Sequence, residues 1–206
     1  TRFAYSDPLE NGPSRPTAML ALQGYGWTLD NFCLHGRRDR AQVINGRKYH
    51  ENLIGLGIYR PDPGADSLGA GKHHIKSILI ANCEKAIQCS EPIAFPWTGA
   101  PPGAGGQAAG NEDNLLWGDI RVNNCNIAYE INSDQSMEHI IYGRVYAFSV
   151  NTIFQWNAGG KISVNHVNTT LPGSTGTTTV LRIGSPESRV FDIEPGSNNG
   201  IAKLSN

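Results

Sequence analysis

The sequence predicts an all-β chain: a right-handed, single-stranded parallel β-helix in which short strands stack coil upon coil and long loops leave at the corners. Three observations carry this expectation. Glycine occurs 24 times in 206 residues and charged residues reach only 17%, below the roughly one quarter of an ordinary globular domain, a composition that favours strands and turns over helices. Apolar and polar residues alternate with a period of two in short runs that end on asparagine-containing turns. Those runs also resemble one another at fixed separations, the mark of a stacked rather than a two-layer fold.

Residues 1–16 read as an irregular lead-in, and the stack is expected from 17 to 195. The first run is Leu29-Asp30-Asn31-Phe32-Cys33-Leu34-His35-Gly36. The second, Ile78 to Cys89, is repeated by the third, Ile120 to Ile131, so that Ile80/Val122, Asn82/Asn124, Cys83/Cys125, Ile87/Tyr129 and Cys89/Ile131 correspond at a separation of 42. In the fourth, Arg144 to Trp156, Val145 and Phe154 each follow Val122 and Ile131 by 23. We read 23 as one coil of three short strands and 42 as one coil plus an inserted loop. Short alternating strands at Lys161–Val167, Val180–Ile183 and Val190–Ile193 continue the pattern. Stacking at ~4.8 Å would lay like on like, with Cys83 over Cys125 and Ile80 over Val122 inside, and with Asn82 and Asn124 bonding at the bend.

Three loops interrupt the coils, at about 37–52, 61–74 and 90–113. The first is basic, with Arg37, Arg38, Arg40, Arg47, Lys48 and His50. The second ends in Lys72-His73-His74, a possible metal ligand set that is more often mere surface. The third, rich in glycine, proline and alanine, holds Phe95 and Trp97 between prolines, and Trp97 is a candidate sugar-stacking platform or subunit anchor. Residues 196–206 read as a tail or the start of a further coil. The absence of an initiator methionine and this strand-like end suggest a piece of a longer chain.

The net charge of −1 gives no support for nucleic acid or an acidic membrane surface as partner. No run approaches the ~18 apolar residues of a membrane span, so no membrane insertion is expected. Four cysteines, at 33, 83, 89 and 125, form no C-x-x-C pair and lack histidine at metal spacing, which argues against a zinc site. Free buried thiols are the expectation, with a disulfide as the alternative. No metal and no cofactor is expected.

The coil patterning of Ile120-Arg121-Val122-Asn123-Asn124-Cys125, over roughly residues 17–195, resembles the pectate-lyase-like right-handed parallel β-helix family, most of all bacteriophage tailspikes. The resemblance implies the fold and an extended polysaccharide ligand. It supplies no catalytic signature that can be carried onto these residues.

Outward positions of stacked strands would line a shallow groove. On the first strand of each coil these are Ser77 and Leu79, Asp119 and Arg121, Tyr142 and Arg144, then Lys161 and Ser163, with Arg121 beside Arg144. Arg121, Tyr142 and Arg144 are the candidate substrate-binding residues, because paired guanidinium groups suit an acidic sugar. On the second strand the outward set is Gln88, Glu130, Gln155 and Arg182. Glycoside hydrolysis needs two carboxylates, for which Glu130 and Asp119 are the candidate catalytic residues. A lyase would instead use a cation and a tyrosine, lysine or histidine base, supplied by Arg121, Arg144, Tyr142, Lys161 or His166.

Three functions follow. The first choice is a segment of a virion tailspike or spike, assembled in the host cytoplasm, that contacts other virion proteins, forms a homotrimer, and binds surface polysaccharide with possible depolymerisation. The alternatives are a non-enzymatic shaft or decoration protein of a virion and a secreted polysaccharide lyase or hydrolase.

Overall fold

The computed structural model describes residues 2–4, 17–23, 25–36, 42–44, 47–59, 71–89, 114–132, 139–156, 161–170, 178–183 and 190–193. Among them every regular element is a strand: β1 (Arg2–Ala4), β2 (Thr17–Gln23), β3 (Thr28–Leu29), β4 (Phe32–His35), β5 (Gln42–Ile44), β6 (Arg47–Tyr59), β7 (His74–Ala81), β8 (Cys83–Cys89), β9 (Leu115–Ile131), β10 (His139–Trp156), β11 (Lys161–Thr170), β12 (Thr179–Ile183) and β13 (Val190–Ile193). Every ladder is parallel except a short β5–β6 hairpin.

The pairing sorts the strands into two rows of one curled sheet. The first row runs β1, β3 with β4, β7, the front half of β9, the front half of β10, β11 and β13. The second runs β2, β6, β8, the rear half of β9, the rear half of β10 and β12. Parallel neighbours cannot be joined by a tight hairpin. Here the chain leaves one row, contributes a strand to the other, and returns one position further along.

The 42-residue repeat is the register of the ladders: Ile78 pairs with Ile120, Ile80 with Val122, Ile87 with Tyr129 and Cys89 with Ile131. The next repeat differs from the expected 23. Ile120 pairs with Val145, Val122 with Ala147 and Ile131 with Trp156, a separation of 25. A slide of two residues keeps every inward side chain inward, so alternation alone could not separate the two registers. The bends settle it. Asn82, Asn124 and Ser149 all have positive φ, at 59°, 56° and 55°, and Asn151 donates its side-chain amide to Asn126 Oδ1 at 2.9 Å. Nor is the repeat divided into three short strands, since β9 and β10 pass through these bends as 17 and 18 continuous residues.

The bends that precede β3, β7 and β9 have the same character. Gly26, Lys72 and Asn114 have φ of 81°, 53° and 55° and precede the mutually paired Thr28, His74 and Leu116. Left-handed backbone is cheapest for glycine and tolerable for asparagine, which accounts for the asparagine-rich turns of the sequence.

The core is one column of inward ladders that includes Leu34, Ile80, Val122 and Ala147, then Ile75, Trp117, Ile141 and Val164. Trp117 meets Tyr129 edge-on at 5.3 Å between centroids. The Tyr129 hydroxyl lies 2.7 Å from His139 Nδ1, and Cys89 Sγ contacts the same oxygen. All four cysteines are free thiols, and Cys83 interacts with Cys125, with burial the main cause of its raised pKa.

Three stretches differ from the sequence expectation. Arg2–Ala4, inside the expected lead-in, pairs with β4. The expected loop at 37–52 contains β5 and the start of β6. Strands β2 and β6 lie outside the four repeated runs, although Leu20/Leu22 and Leu56/Ile58 carry the same alternation and stack on each other.

Candidate functional site

The first row loses strict alternation at one level, and the candidate site is built there. In β7, Lys76 and Ser77 separate the inward Ile75 and Ile78; in β9, Gly118 and Asp119 separate Trp117 and Ile120. In β10 three residues, Tyr142, Gly143 and Arg144, fill the same interval between Ile141 and Val145, and the ladder register shifts across them. An extra residue in one strand is a bulge, which bends the strand and re-aims side chains. The bulge is packed tightly: a Cβ on Gly118 would collide with the Lys76 carbonyl oxygen, and one on Gly143 with the Gly118 carbonyl. Asp119 Oδ1 accepts a hydrogen bond from the Arg144 backbone amide at 3.0 Å, satisfying a donor at the bulge.

The bulge sends the Tyr142 side chain back along the stack. Its hydroxyl lies 2.7 Å from His74 Nε2, and the two rings meet edge-on with centroids 5.7 Å apart. Because β9 lies between β7 and β10, the tyrosine crosses β9, at the level where that strand carries Gly118 and no side chain. Asn165 from β11 donates to the Tyr142 carbonyl at 3.0 Å, fixing the bulge from the other side.

Two residues further on, the arginines meet through a tyrosine. Tyr146 is the ladder partner of Arg121. The Arg121 guanidinium sits over its ring, 5.5 Å from the centroid, while Arg144 Nη1 donates to its hydroxyl at 3.0 Å. The hydrogen bond to Tyr146 raises the Arg144 pKa above its ordinary value, with Asp119 a lesser cause. Among the described residues neither guanidinium has a carboxylate within ion-pair distance. The expected neighbour of Arg121 was Arg144; the 25-residue register puts Tyr146 there and makes it the bridge.

The large hydrophobic residues exposed among the described residues are Tyr25, Trp27, Leu79, Leu116, Tyr142 and Phe148, and the last four stand on first-row strands. Tyr142 is 48% exposed and Trp27 50%. None comes from the second row.

On the second row the expected ladder exists, with Gln88 paired to Glu130, Glu130 to Gln155 and Gln155 to Arg182. Its expected exposure does not extend to Gln88 and Glu130, which are buried. Glu130 Oε2 accepts from Lys85 Nζ at 2.8 Å, from Gln88 Nε2 at 2.7 Å and from Asn132 Nδ2 at 3.1 Å. A buried carboxylate needs such compensation, and here Oε2 carries all three bonds. Glu130 and Asp119 thus lie on different rows in different environments: Asp119 at the bulge, Glu130 in a closed ionic cluster. Trp97 lies outside the described residues.

His73 and His74 cannot share a ligand, because alternation points them to opposite sides of the sheet. His73 is buried, accepts the Trp27 backbone amide on Nδ1 at 3.2 Å, and has its pKa lowered to about 4 by burial. No group of three or more histidine, cysteine, aspartate or glutamate side chains among the described residues could hold a metal ion. No helix among them is long and apolar enough to cross a membrane.

The structure therefore unites Asp119, Tyr142, Arg144 and Arg121 on one exposed face and adds His74 and Tyr146, which the sequence reading did not place in the site. The signal for Tyr146 was the spacing of 25; that for His74 was its position opposite the bulge. Comparison with protein-family models, curated proteins and solved structures finds no match to this chain. The chemistry of this face rests on its own residues.

Proposed function

We propose that the chain is a segment of a right-handed parallel β-helix of the tailspike type, and that the outer face of its first row binds an acidic surface polysaccharide. The alternation of the chain between two rows of parallel strands supports the helical reading. The observation that carries the ligand is the Arg121–Tyr146–Arg144 group. Two guanidinium groups held by one tyrosine, with no carboxylate within ion-pair distance among the described residues, are organised for carboxylates presented by a polymer. Exposed rings at Tyr142 and Phe148 offer flat apolar surfaces of the kind that stack on sugar faces, and an extended ligand matches a face built from successive coils.

This reading places binding, not hydrolysis, on the described surface, because Glu130 is sealed in its ionic cluster. The test is retention of the protein by immobilised polysaccharides, acidic and neutral. Retention by acidic polymers, lost on Arg121→Ala with Arg144→Ala, is expected; equal retention by neutral polymers would overturn the ligand class.

A second reading has its own observation. Leu79, Leu116 and Phe148 add apolar surface beside the arginines, which suits a contact between subunits of a trimeric shaft. Sedimentation decides it: trimer formation abolished by Phe148→Asp would assign the face to assembly.

A further inference from the structure

We infer that the segment Tyr25–Leu29 is an acid-released strap, latched onto the neighbouring coil by the His73 side chain. The segment includes β3, which pairs with β7 and with no other described strand. Tyr25, Gly26, Trp27 and Thr28 are exposed, and within the strap Leu29 alone packs against the core. So little buried apolar area is the mark of a segment that opens locally. Beyond its two-residue ladder the strap is attached by polar groups. Gly26 donates its amide to the Gly71 carbonyl at 3.1 Å, the Trp27 carbonyl accepts from the His74 amide at 2.8 Å, and the Trp27 amide donates to His73 Nδ1 at 3.2 Å. Gly26, at φ 81° with open space where a Cβ would stand, is placed to act as the hinge.

The bond to Nδ1 fixes the state of the histidine. Because Nδ1 accepts from a backbone amide, the neutral ring carries its proton on Nε2, and Nε2 is buried with no hydrogen-bond partner among the described residues. A second proton enters at Nδ1, against the Trp27 N–H. The result is a buried cation with no acceptor on either nitrogen, a costly state that moving the strap into water relieves. The adjoining strands supply no acid to offset it. On β7, Lys72 just before the strand is exposed and His74 points to the other side of the sheet; β9 brings Leu115 and Trp117, and β10 brings His139 beyond Leu115. The strap itself brings Tyr25, and Asp30 stands exposed beyond the Leu29–Ile75 pair.

With the strap closed, burial holds the His73 pKa at about 4, whereas an imidazole in water titrates near ~6.5. Below ~6.5 the open form takes up the proton and the closed form does not, so the balance moves toward opening as pH falls and levels off near 4. Each pH unit contributes at most ~10-fold, and the whole interval about 100-fold. Opening frees the Gly71 carbonyl and the His74 amide and uncovers the edge of β7. Such an edge is a row of backbone groups that pairs with extended chains.

Hydrogen exchange of the whole chain, followed by NMR from neutral pH down to about 4 and corrected for the intrinsic effect of pH, tests the strap. The expected result is that the Gly26 and His74 amides exchange faster than those in the middle of β9 and β10 at every pH, and that their protection falls by about 100-fold across the interval. His73→Asn offers an acceptor oxygen that does not titrate, and should remove that fall. The ring nitrogen shifts of the unsubstituted protein give a check that needs no variant, since His73 should carry its proton on Nε2 at neutral pH. A proton on Nδ1 at neutral pH, strap protection that does not change with pH, an equal fall in His73→Asn, or strap amides that exchange only as fast as those of β9 and β10 would each overturn the latch.

Discussion

Asn124 donates its side-chain amide to the Asn82 side-chain oxygen at 2.8 Å, one coil bend resting on the next. Asn82 in turn donates to the Gly36 carbonyl at 3.1 Å, so a single buried residue ties three successive strand ends of the first row. Its φ of 59° adds a second demand on residue type. Asn82→Ala loses both the amide bonds and the conformational tolerance, and should cost about 2–4 kcal/mol. Asn82→Gly restores only the backbone, so it should recover part of that loss. Denaturant midpoints for the two variants measure the split, and equal midpoints would show that the left-handed backbone contributes little.

Glu130 should behave as a structural residue. Glu130→Gln leaves Lys85 without its charge partner, at a cost of about 2–3 kcal/mol, less than the ~3–5 kcal/mol of a fully buried pair because the Lys85 side chain retains 14% exposure. Thermal unfolding checks this. A variant of undiminished stability would return Glu130 to the list of functional candidates.

Acid should weaken the fold through its buried histidines. Burial lowers the His139 pKa to about 3 and that of His73 to about 4, whereas both titrate near ~6.5 in the unfolded chain. Below that pH the unfolded state binds more protons, so stability falls with pH from about 6.5 until the folded-state values are reached, by at most ~1.4 kcal/mol per unit for each histidine. His139→Gln should lower stability at neutral pH and flatten the slope between about pH 6 and 4. An unchanged slope in that variant would remove His139 as a source.

Gly118 is needed for the close approach of β9 to β7. Gly118→Ala should destabilise by about 1–3 kcal/mol through overpacking and displace Tyr142 from His74. Loss of stability without change at the Tyr142 ring, observed by NMR, would show that the bulge does not depend on this glycine.

The fold was more legible than the site. The 42-residue repeat could be read directly because Asn82-Cys83 and Asn124-Cys125 are distinctive pairs that the stacking places together. The following 25-residue step was misread as 23, since a shift of two preserves inside and outside, and the bulge at Tyr142–Arg144 has no signature beyond a glycine. That slip hid Tyr146 behind Arg144. Glu130 was assigned outward from parity alone. Its burial depends on Lys85 and Gln88 of β8 and Asn132 at the end of β9 converging on it, which periodicity does not encode. Arg121, Tyr142, Arg144 and Asp119 were placed on the outer face because their side of the strand was right even where their register was not.

The most direct test of the account is the equilibrium affinity of the protein for polygalacturonate and for the same polymer with its carboxyl groups esterified. The account predicts measurable binding to the acid form and weaker binding to the ester. Loss of charge-assisted hydrogen bonds worth ~1.5–3 kcal/mol should weaken binding of the acid form by about 10–100-fold in Arg121→Ala with Arg144→Ala. Equal affinity for the two polymers, or an unchanged affinity in the double variant, would contradict it.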